Sequence, residues 1–197
     1  MVRSRPPRRI GIFGGTFDPP HIGHLVAATE ARTALDLDVV LMVVANEPWQ
    51  KVGTRPLSPA ADRLALVEAA VAGAEGLEVS DLELRRGGSS YTADTVADVA
   101  AAEPGAELFV ILGHDAAVGF TTWERYQEVA DGATLVVVDR PGTEAPVDPR
   151  FRWRRIDIPE LEISSTDLRR RVAEGRSIAY LTPDPVAWEI ERRGLYR

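Results

Sequence analysis

Residues 14–24 of this chain read Gly-Gly-Thr-Phe-Asp-Pro-Pro-His-Ile-Gly-His, and this stretch decides the fold. The apolar run Arg9–Phe13 before it predicts a short buried strand, and the amphipathic pattern of Ile22–Leu35 predicts a helix that begins within it. A glycine pair lets the backbone come close to a ligand, and a helix N-terminus offers free N–H donors and positive partial charge. His21 and His24 stand at positions i and i+3, so they share one face of the first helical turn. The stretch therefore predicts a phosphate-binding turn with two imidazoles built into it.

Strand-like and helix-like segments alternate along the rest of the chain. Apolar runs predict strands over Arg9–Phe13, Val39–Ala45, Leu77–Leu84, Glu107–Leu112, Thr134–Asp139 and Phe151–Ile158. Periodic patterns predict helices over Ile22–Leu35, Pro59–Ala72, Thr92–Ala102, Trp123–Ala130, Ser165–Glu174 and Pro185–Arg193. Continuous apolar strands that alternate with helices are typical of a parallel sheet covered on both faces. We therefore expect one doubly wound α/β domain over residues 1–197 with a mostly parallel sheet, a flexible tail at 1–8 and closing C-terminal helices in 164–197.

Unusual polar residues follow the predicted strands at their carboxyl ends. Ligands of open α/β sheets bind beyond these ends. Besides the turn at 14–24, the segments concerned are Asn46–Lys51, Arg85–Thr92, Gly113–Asp115, Asp139–Arg140 and Ser164–Arg171. The three histidines of the chain all lie in this set. The sequence therefore predicts a single ligand site along one edge of the sheet.

Composition excludes several classes of function. The net charge of −7 argues against nonspecific binding to nucleic acid or to an anionic membrane. No apolar run approaches the roughly 20 residues that span a bilayer. The chain has no cysteine, so it has no disulfide framework and no thiolate nucleophile, and we expect it in the cytoplasm.

Lys51 is the only lysine among the 23 lysine and arginine residues. It stands in a predicted loop after the second strand. One interpretation is chance, because a lone surface lysine is unremarkable. The other is that a compact, flexible ammonium is needed beside a phosphate, where a guanidinium fork would not substitute.

A second motif, Ile163–Arg171, reads Ile-Ser-Ser-Thr-Asp-Leu-Arg-Arg-Arg. Hydroxyl residues at a helix start leave backbone N–H groups open to an anion, and Arg169 follows one turn later. The simpler interpretation is a serine N-cap with a solvated arginine face. A P-loop is excluded because the sole lysine follows Gln50, and a Gly-x-Gly-x-x-Gly turn is missing. Together with the histidine turn, the motif favours a pocket for a polyphosphate.

Both motifs together resemble the nucleotidyltransferase superfamily, and within it the bacterial nicotinate-nucleotide adenylyltransferases. Residues 90–95, Ser-Tyr-Thr-Ala-Asp-Thr, are similar to the segment that this family places against the pyridine ring. Gly113–Asp115 resembles its nucleotide-ribose turn, and Trp123 its aromatic wall. The resemblance implies a Rossmann-like nucleotidyltransferase fold. It also implies transfer of the adenylyl group of ATP to nicotinate mononucleotide by in-line attack, with release of pyrophosphate and no covalent intermediate.

The resemblance also implies which residues act. Catalysis falls to His21, His24, Lys51 and Arg169. ATP binding falls to Gly14, Gly15, Thr16, Phe17, His21, His24, Gly113, Asp115, Ile163, Ser164, Ser165, Thr166 and Arg169. The acceptor substrate falls to Thr16, Lys51, Tyr91, Thr92, Trp123 and Arg140. Mg²⁺ is expected to arrive with ATP, held by phosphate and water rather than by protein side chains.

Three alternatives stay open at this point. His21, His24 and His114 could be three imidazole ligands of a catalytic zinc ion. The chain could be a nucleotide-binding regulator that has lost its chemistry. It could also be a sister transferase for another phosphorylated acceptor, and a homo-oligomer is open in every case.

Other conspicuous residues have simpler interpretations. We expect Asp18 to steady the glycine turn through its own backbone rather than to take part in catalysis. Arg152, Arg154 and Arg155 are expected to form a solvated strand edge. Trp188, on the last predicted helix, is expected in the core.

Overall fold

The computed structural model describes residues 7–48, 56–139, 142 and 144–197. Within these residues the strands are β1 (Arg9–Gly15), β2 (Val39–Val44), β3 (Leu77–Ser80), β4 (Glu107–Gly113), β5 (Thr134–Asp139) and β6 (Trp153–Asp157). The α-helices are α1 (Ile22–Ala34), α2 (Ala60–Val71), α3 (Leu82–Arg86), α4 (Thr92–Ala102), α5 (His114–Val118), α6 (Tyr126–Gly132), α7 (Ser165–Ala173) and α8 (Asp184–Arg193). One turn of 3-10 helix covers Phe120–Thr122.

The strands form one sheet in the order β3-β2-β1-β4-β5-β6, and every neighbouring pair is parallel. The chain winds outward from β1 to β3, crosses back over β1, and winds outward again from β4. This is the strand order of doubly wound α/β folds, so the predicted fold class is confirmed. The change of direction leaves a crevice outside the carboxyl ends of β1 and β4, which is where such sheets bind ligands.

Helices bury the sheet from both sides. On one face α1 and α2 pack against the strands through residues such as Ala28 and Val67. On the other face α4 and α6 do so through Val96 and Val129. Leu168 of α7 joins residues of α2 and α8 in a third apolar cluster. The C-terminal helices are therefore attached to α2, whose first turn lies near the crevice.

The prediction of a strand over Leu77–Leu84 is wrong beyond Ser80, because the chain turns there into α3. This helical turn carries Glu83 into the protein, and its carboxylate accepts a hydrogen bond of 2.6 Å from the Thr95 hydroxyl. The helix α5 was not predicted, because five residues are too few to show a helical period. Both short helices lie at the carboxyl edge of the sheet, where tertiary contacts override local pattern.

A second prediction that the structure corrects is the place of Trp188 on α8. Trp188 is 67% exposed, so its expected place in the core is wrong. The helix buries Val186 and Ile190 against α2, and Trp188 is directed away from that contact. In the part of the chain that the structure describes, no helix has the length and apolarity that a membrane crossing requires.

Candidate functional site

A cavity of about 430 Å³ lies at the carboxyl ends of β1 and β4. Eight of the predicted site residues line it: Gly14, Gly15, Thr16, Tyr91, Thr92, Gly113, Asp115 and Trp123. Its volume falls in the range typical of small-molecule sites, roughly 300–1,000 Å³. The structure thus brings residues from four separate segments of the sequence to one crevice.

The two glycines at the end of β1 are required for different reasons. A Cβ at Gly14 would meet nothing within 4 Å, so the exposed strand end is open to a close-approaching ligand. A Cβ at Gly15 would lie 2.7 Å from the ring of Phe17, which is closer than real contacts allow. Phe17 itself has a φ of 49° and a buried ring. This predicted ATP-binding residue therefore has its side chain in the core, and its ring lies beneath the histidine pair.

The two imidazoles stack at the start of α1, with ring centroids 3.7 Å apart and planes inclined by 29°. Phe17 meets the His24 ring edge to face at 5.1 Å, which fixes its orientation from below. The backbone N–H of His21 donates to Nδ1 of His24 at 3.1 Å. An accepting Nδ1 places the ring proton on Nε2, so His24 presents an N–H donor rather than a base.

His21 is 9% exposed, and burial lowers its pKa to about 4 from the usual 6.5. At neutral pH the ring is therefore uncharged. Its Nδ1 is buried and has no hydrogen-bond partner among the residues that the structure describes. The histidine turn accordingly offers a phosphate hydrogen-bond donors on a helix N-terminus rather than a pair of cations.

The pKa of His21 leads to a prediction about stability. Between pH 6.5 and about 4 the unfolded chain binds a proton at His21 that the folded chain does not, so this contribution to the free energy of unfolding is lost as the pH falls. The loss should reach about 3 kcal/mol at pH 4. We expect His21→Gln to lose correspondingly less stability than wild type between pH 7 and pH 4, measured by urea unfolding at each pH. Parallel losses in the two proteins would contradict the assigned pKa.

The start of α7 lies against the loop that joins β1 to α1. Ser165 Oγ donates to the carbonyl of Pro19 at 2.7 Å, and the Arg169 guanidinium donates to the carbonyl of Asp18, also at 2.7 Å. Two motifs that are far apart in sequence therefore meet at one loop, which places the N-termini of α1 and α7 side by side.

The remaining residues of the second motif shape the helix start. Ser164 Oγ accepts a hydrogen bond from the backbone N–H of Asp167 at 3.1 Å, as an N-cap does. Thr166 accepts from Arg169 at 3.1 Å, and Ile163 packs against the cluster between α2 and α8. The predicted N-cap is therefore confirmed at Ser164, and Ser165 and Arg169 contact the loop before α1, while an anion at this helix start stays a prediction.

Asp18 has a partner outside its own loop. Its buried carboxylate accepts a hydrogen bond of 2.7 Å from the hydroxyl of Tyr196. Thr182 in turn donates to the carbonyl of Pro20 at 2.9 Å. Contacts from the C-terminal part of the chain therefore hold the loop along its length.

Arg63 is a residue of this site that the sequence analysis did not identify. It is 1% exposed, and its guanidinium donates to the carbonyls of Thr16, Ala45, Asn46 and Ser58 at distances from 2.6 to 3.0 Å. One side chain of α2 thus joins the loop after β1 to the loop after β2. The signal that could have found it is an arginine on the buried stripe of an otherwise apolar helix face.

The other end of the cavity is built by the segment before α4. Asn46 donates from its backbone to Ser90 Oγ and from its side chain to the carbonyl of Gly88, both at 2.8 Å. These bonds place Tyr91 and Thr92 at the mouth of the cavity. Trp123 lines the same space and packs on Phe120 at 5.7 Å. The aromatic wall and the start of α4 therefore face a common volume.

Two predicted residues, Lys51 and Arg140, lie outside the described residues. Within the described ranges, Asn46 follows β2 and Asp139 is the last residue of β5. Both lie at the carboxyl edge of the sheet. Arg152, just before β6, and Arg154 and Arg155, on β6, are all exposed as expected. Arg155 also contacts the buried Asp139 carboxylate at 2.7 Å.

His114 begins α5, on a different element from His21 and His24. Its Nδ1 is 3.2 Å from a carboxylate oxygen of Asp139. Among the residues that the structure describes, no group of three or more histidine, aspartate or glutamate side chains could hold a metal ion. The structure therefore does not bring the three imidazoles together as a zinc site.

Comparison with known proteins places this geometry in a family. The cytidylyltransferase-like family matches residues 12–171. A probable nicotinate-nucleotide adenylyltransferase of Desulfitobacterium hafniense is 44% identical over 208 residues, covering 100% of both chains. One of Thermus thermophilus is 46% identical and covers 96% of this chain and all of the relative.

Solved structures agree in fold. A putative nicotinate-nucleotide adenylyltransferase from Vibrio parahaemolyticus superposes with a TM-score of 0.71 over 96% of each chain, at 23% identity. The Plasmodium falciparum nicotinic acid mononucleotide adenylyltransferase complexed with NaAD superposes with a TM-score of 0.78 over 96% of this chain and 97% of that one, at 18% identity. From its sequence relatives, this chain belongs to the cytidylyltransferase-like family and, within it, to the nicotinate-nucleotide adenylyltransferases.

Proposed function

We propose that this protein transfers the adenylyl group of ATP to nicotinate mononucleotide, giving nicotinate adenine dinucleotide and pyrophosphate. The observation that carries the proposal is the meeting of two helix N-termini at the loop between β1 and α1, where Ser165 and Arg169 contact Pro19 and Asp18. Such an arrangement suits a chain of phosphates, because each helix start presents N–H donors and positive partial charge. The relatives that match this chain over nearly its full length are named probable nicotinate-nucleotide adenylyltransferases.

The chemistry requires no general base. A phosphate oxygen of nicotinate mononucleotide, already an anion, forms a bond to the α-phosphorus of ATP. The bond from that phosphorus to the oxygen bridging the α- and β-phosphates breaks, and its electron pair leaves with pyrophosphate. Catalysis then consists of alignment and of stabilising the charge that grows on the transferring and leaving oxygens. The proposed role of the site is to supply hydrogen-bond donors whose positions at these oxygens are fixed before the reaction.

We assign the triphosphate to the histidine turn, which follows the cavity-lining residues Gly14, Gly15 and Thr16 and does not itself line the cavity. The Nε2–H of His24 would donate to the α- and β-phosphates, with the uncharged His21 beside it. The exposed strand end at Gly14 leaves room for the same phosphates. Arg169, Ser165 and the open amides of α7 would hold the β- and γ-phosphates, and Gly113 and Asp115 would contact the nucleoside.

We assign the acceptor to the opposite side of the cavity. The pyridine ring would lie against Trp123, whose face suits offset stacking. Its carboxylate would accept hydrogen bonds at the start of α4, near Tyr91 and Thr92. A carboxamide would leave such donors poorly used. Lys51 and Arg140, outside the described residues, are proposed for the reacting phosphates.

Mg²⁺ stays a prediction for this protein. The described residues contain no cluster of side chains that could hold a metal ion by themselves. Any ion would arrive with the phosphates of ATP. The cytoplasmic location and the single-domain organisation over 1–197 likewise stay predictions.

The experiment that tests the function is a comparison of acceptors. Pyrophosphate release from MgATP is measured with nicotinate mononucleotide, its amide, phosphopantetheine and glycerol phosphate. We expect release with nicotinate mononucleotide and a kcat/KM at least about tenfold lower with the amide, because one charge-assisted hydrogen bond is lost. Equal rates with acid and amide would remove the role of Tyr91 and Thr92. Release with phosphopantetheine or glycerol phosphate alone would instead identify a sister transferase.

A further inference from the structure

One side chain holds the loop between β1 and α1 without any part in the proposed chemistry. The hydroxyl of Tyr196 donates to Oδ1 of Asp18 at 2.7 Å, and Asp18 is 1% exposed. A buried carboxylate depends on its donors because it has given up its hydration. The position of Asp18 is therefore tied to Tyr196, which follows α8 in the sequence.

Asp18 is in turn a junction of the nucleotide site. Its main-chain carbonyl accepts the 2.7 Å hydrogen bond from Arg169, whose other nitrogen donates to Thr166. Phe17, the residue before it, supports the ring of His24. A displacement of Asp18 would therefore move the guanidinium and the imidazole that are assigned to the triphosphate.

The backbone on both sides of this contact is constrained. Phe17 has a φ of 49° and Tyr196 a φ of 64°, both in the left-handed region that residues other than glycine seldom adopt. Such conformations persist where the surrounding structure fixes them, and they cluster at functional sites. Leu195, directly before Tyr196, packs in the cluster between α2 and α8 and donates from its backbone to Ile190 at 3.0 Å. The end of α8 thus directs the phenol toward Asp18.

The donor role of the phenol does not depend on pH in the working range. Burial, and then the negative charge of Asp18, raise the pKa of the Tyr196 hydroxyl well above its usual value. The group therefore keeps its proton, and stays a donor, at neutral pH.

We propose that Tyr196 is a positioning residue of the nucleotide site, which sets Arg169 and the histidine turn for the ATP triphosphate by holding Asp18. The inference rests on the proposed function for the identity of the nucleotide. It does not require the acceptor to be nicotinate mononucleotide.

The test is Tyr196→Phe, which removes one oxygen and keeps the ring. The readout is the dissociation constant, by calorimetry, of an ATP analogue with a methylene group between its α- and β-phosphates. We expect this constant to rise about tenfold, the effect of one hydrogen bond to a charged group. The KM for nicotinate mononucleotide should stay within about twofold, because the acceptor lies on the other side of the cavity. An unchanged dissociation constant would overturn the proposal.

Two matched variants separate positioning from loss of stability. Tyr180→Phe removes a phenol that is 89% exposed, and it should leave the dissociation constant unchanged. Arg193→Met breaks the ion pair of 2.5 Å that joins α8 to Asp62 of α2, and a second pair of 2.8 Å with Glu189 within α8, so it loosens the same helix without touching Asp18. If Arg193→Met weakens analogue binding as much as Tyr196→Phe does, the effect is general loosening and the proposal is wrong.

The same readout separates this inference from the proposed function. Analogue binding requires no acceptor, so it can be measured even if the acceptor comparison identifies another substrate. In that case a tenfold weaker binding in Tyr196→Phe still supports the positioning role. Conversely, an active wild-type enzyme whose Tyr196→Phe variant binds the analogue normally rejects the inference alone.

Discussion

His24→Ala should lower kcat for adenylyl transfer by about 100- to 1,000-fold, which is the usual cost of removing one preorganised donor to a charged transition state. His24 accepts the backbone N–H of His21 at Nδ1 and so presents its proton on Nε2. The Phe17 ring and the His21 ring fix its plane, at 5.1 and 3.7 Å between centroids. A donor held in this way is not reorganised during the reaction, and alanine offers nothing in its place.

Steady-state kinetics with saturating ATP measure this effect, and calorimetry with the methylene analogue of ATP provides the comparison. We expect the loss in kcat to exceed the loss in analogue affinity, because charge on the α-phosphoryl oxygens grows toward the transition state. Thermal unfolding should shift by only about 3 °C, since one partly exposed ring is removed.

The matched variant is His24→Gln, whose amide N–H can stand near the position of Nε2. We expect it to retain at least tenfold more activity than His24→Ala, because the donor is kept while its rigid orientation is lost. A variant His24→Ala that turns over within threefold of wild type would show that the imidazole does not act on the transferring group.

The fold was predictable because its determinants are local. Each long apolar run, such as Val39–Val44, is flanked by loops and amphipathic segments, and a parallel sheet is the arrangement that buries strands of this kind. The exception is instructive. Residues after Ser80 were predicted to extend β3, yet they turn into α3 and bury Glu83 against Thr95. That contact joins residues whose proximity depends on how α4 packs, and no local pattern reports it.

Residues of the site could be predicted where they form a local motif that is unusual in sequence. The glycine pair at 14–15, the two imidazoles and the serine-rich start of α7 are unusual in sequence, and the structure brings all three together. Tyr196 and Arg63 carry no such mark. Each acts by reaching the main chain or side chain of a distant loop, so its role follows from the packing of α2 and α8. Residues that support a site are harder to infer from sequence than residues that contact its ligand.

Replacement of Arg63 should give the largest loss of stability among the variants considered. Its buried guanidinium donates to the carbonyls of Thr16, Ala45, Asn46 and Ser58. In Arg63→Met the methionine fills a volume similar to that of the aliphatic part of arginine. The four carbonyls, however, lose their hydrogen-bond donor. Leaving buried polar groups unpaired is costly, so we expect the free energy of unfolding to fall by about 3–5 kcal/mol.

The same change should lower activity beyond its effect on folding. Thr16 belongs to the loop after β1 and Asn46 to the loop after β2, so Arg63 keeps two walls of the cavity at a fixed separation. We expect kcat/KM to fall about tenfold or more at a temperature where the variant is fully folded, because small misplacements of reacting groups are expensive. Urea unfolding and steady-state kinetics on the same preparation measure the two effects.

Arg176→Met is the matched control for Arg63→Met. Arg176 follows α7 and contacts Glu174 at 3.2 Å, both side chains are about half exposed, and neither lines the cavity. Exposed pairs of this kind contribute about 1 kcal/mol or less, so the control should keep both its stability and its activity. If Arg63→Met unfolds within about 1 kcal/mol of wild type, the four carbonyls are satisfied without it, since that is the range of an ordinary surface substitution. If it unfolds early but keeps full kcat/KM while folded, Arg63 is needed for the fold and the cavity walls hold their positions by other contacts.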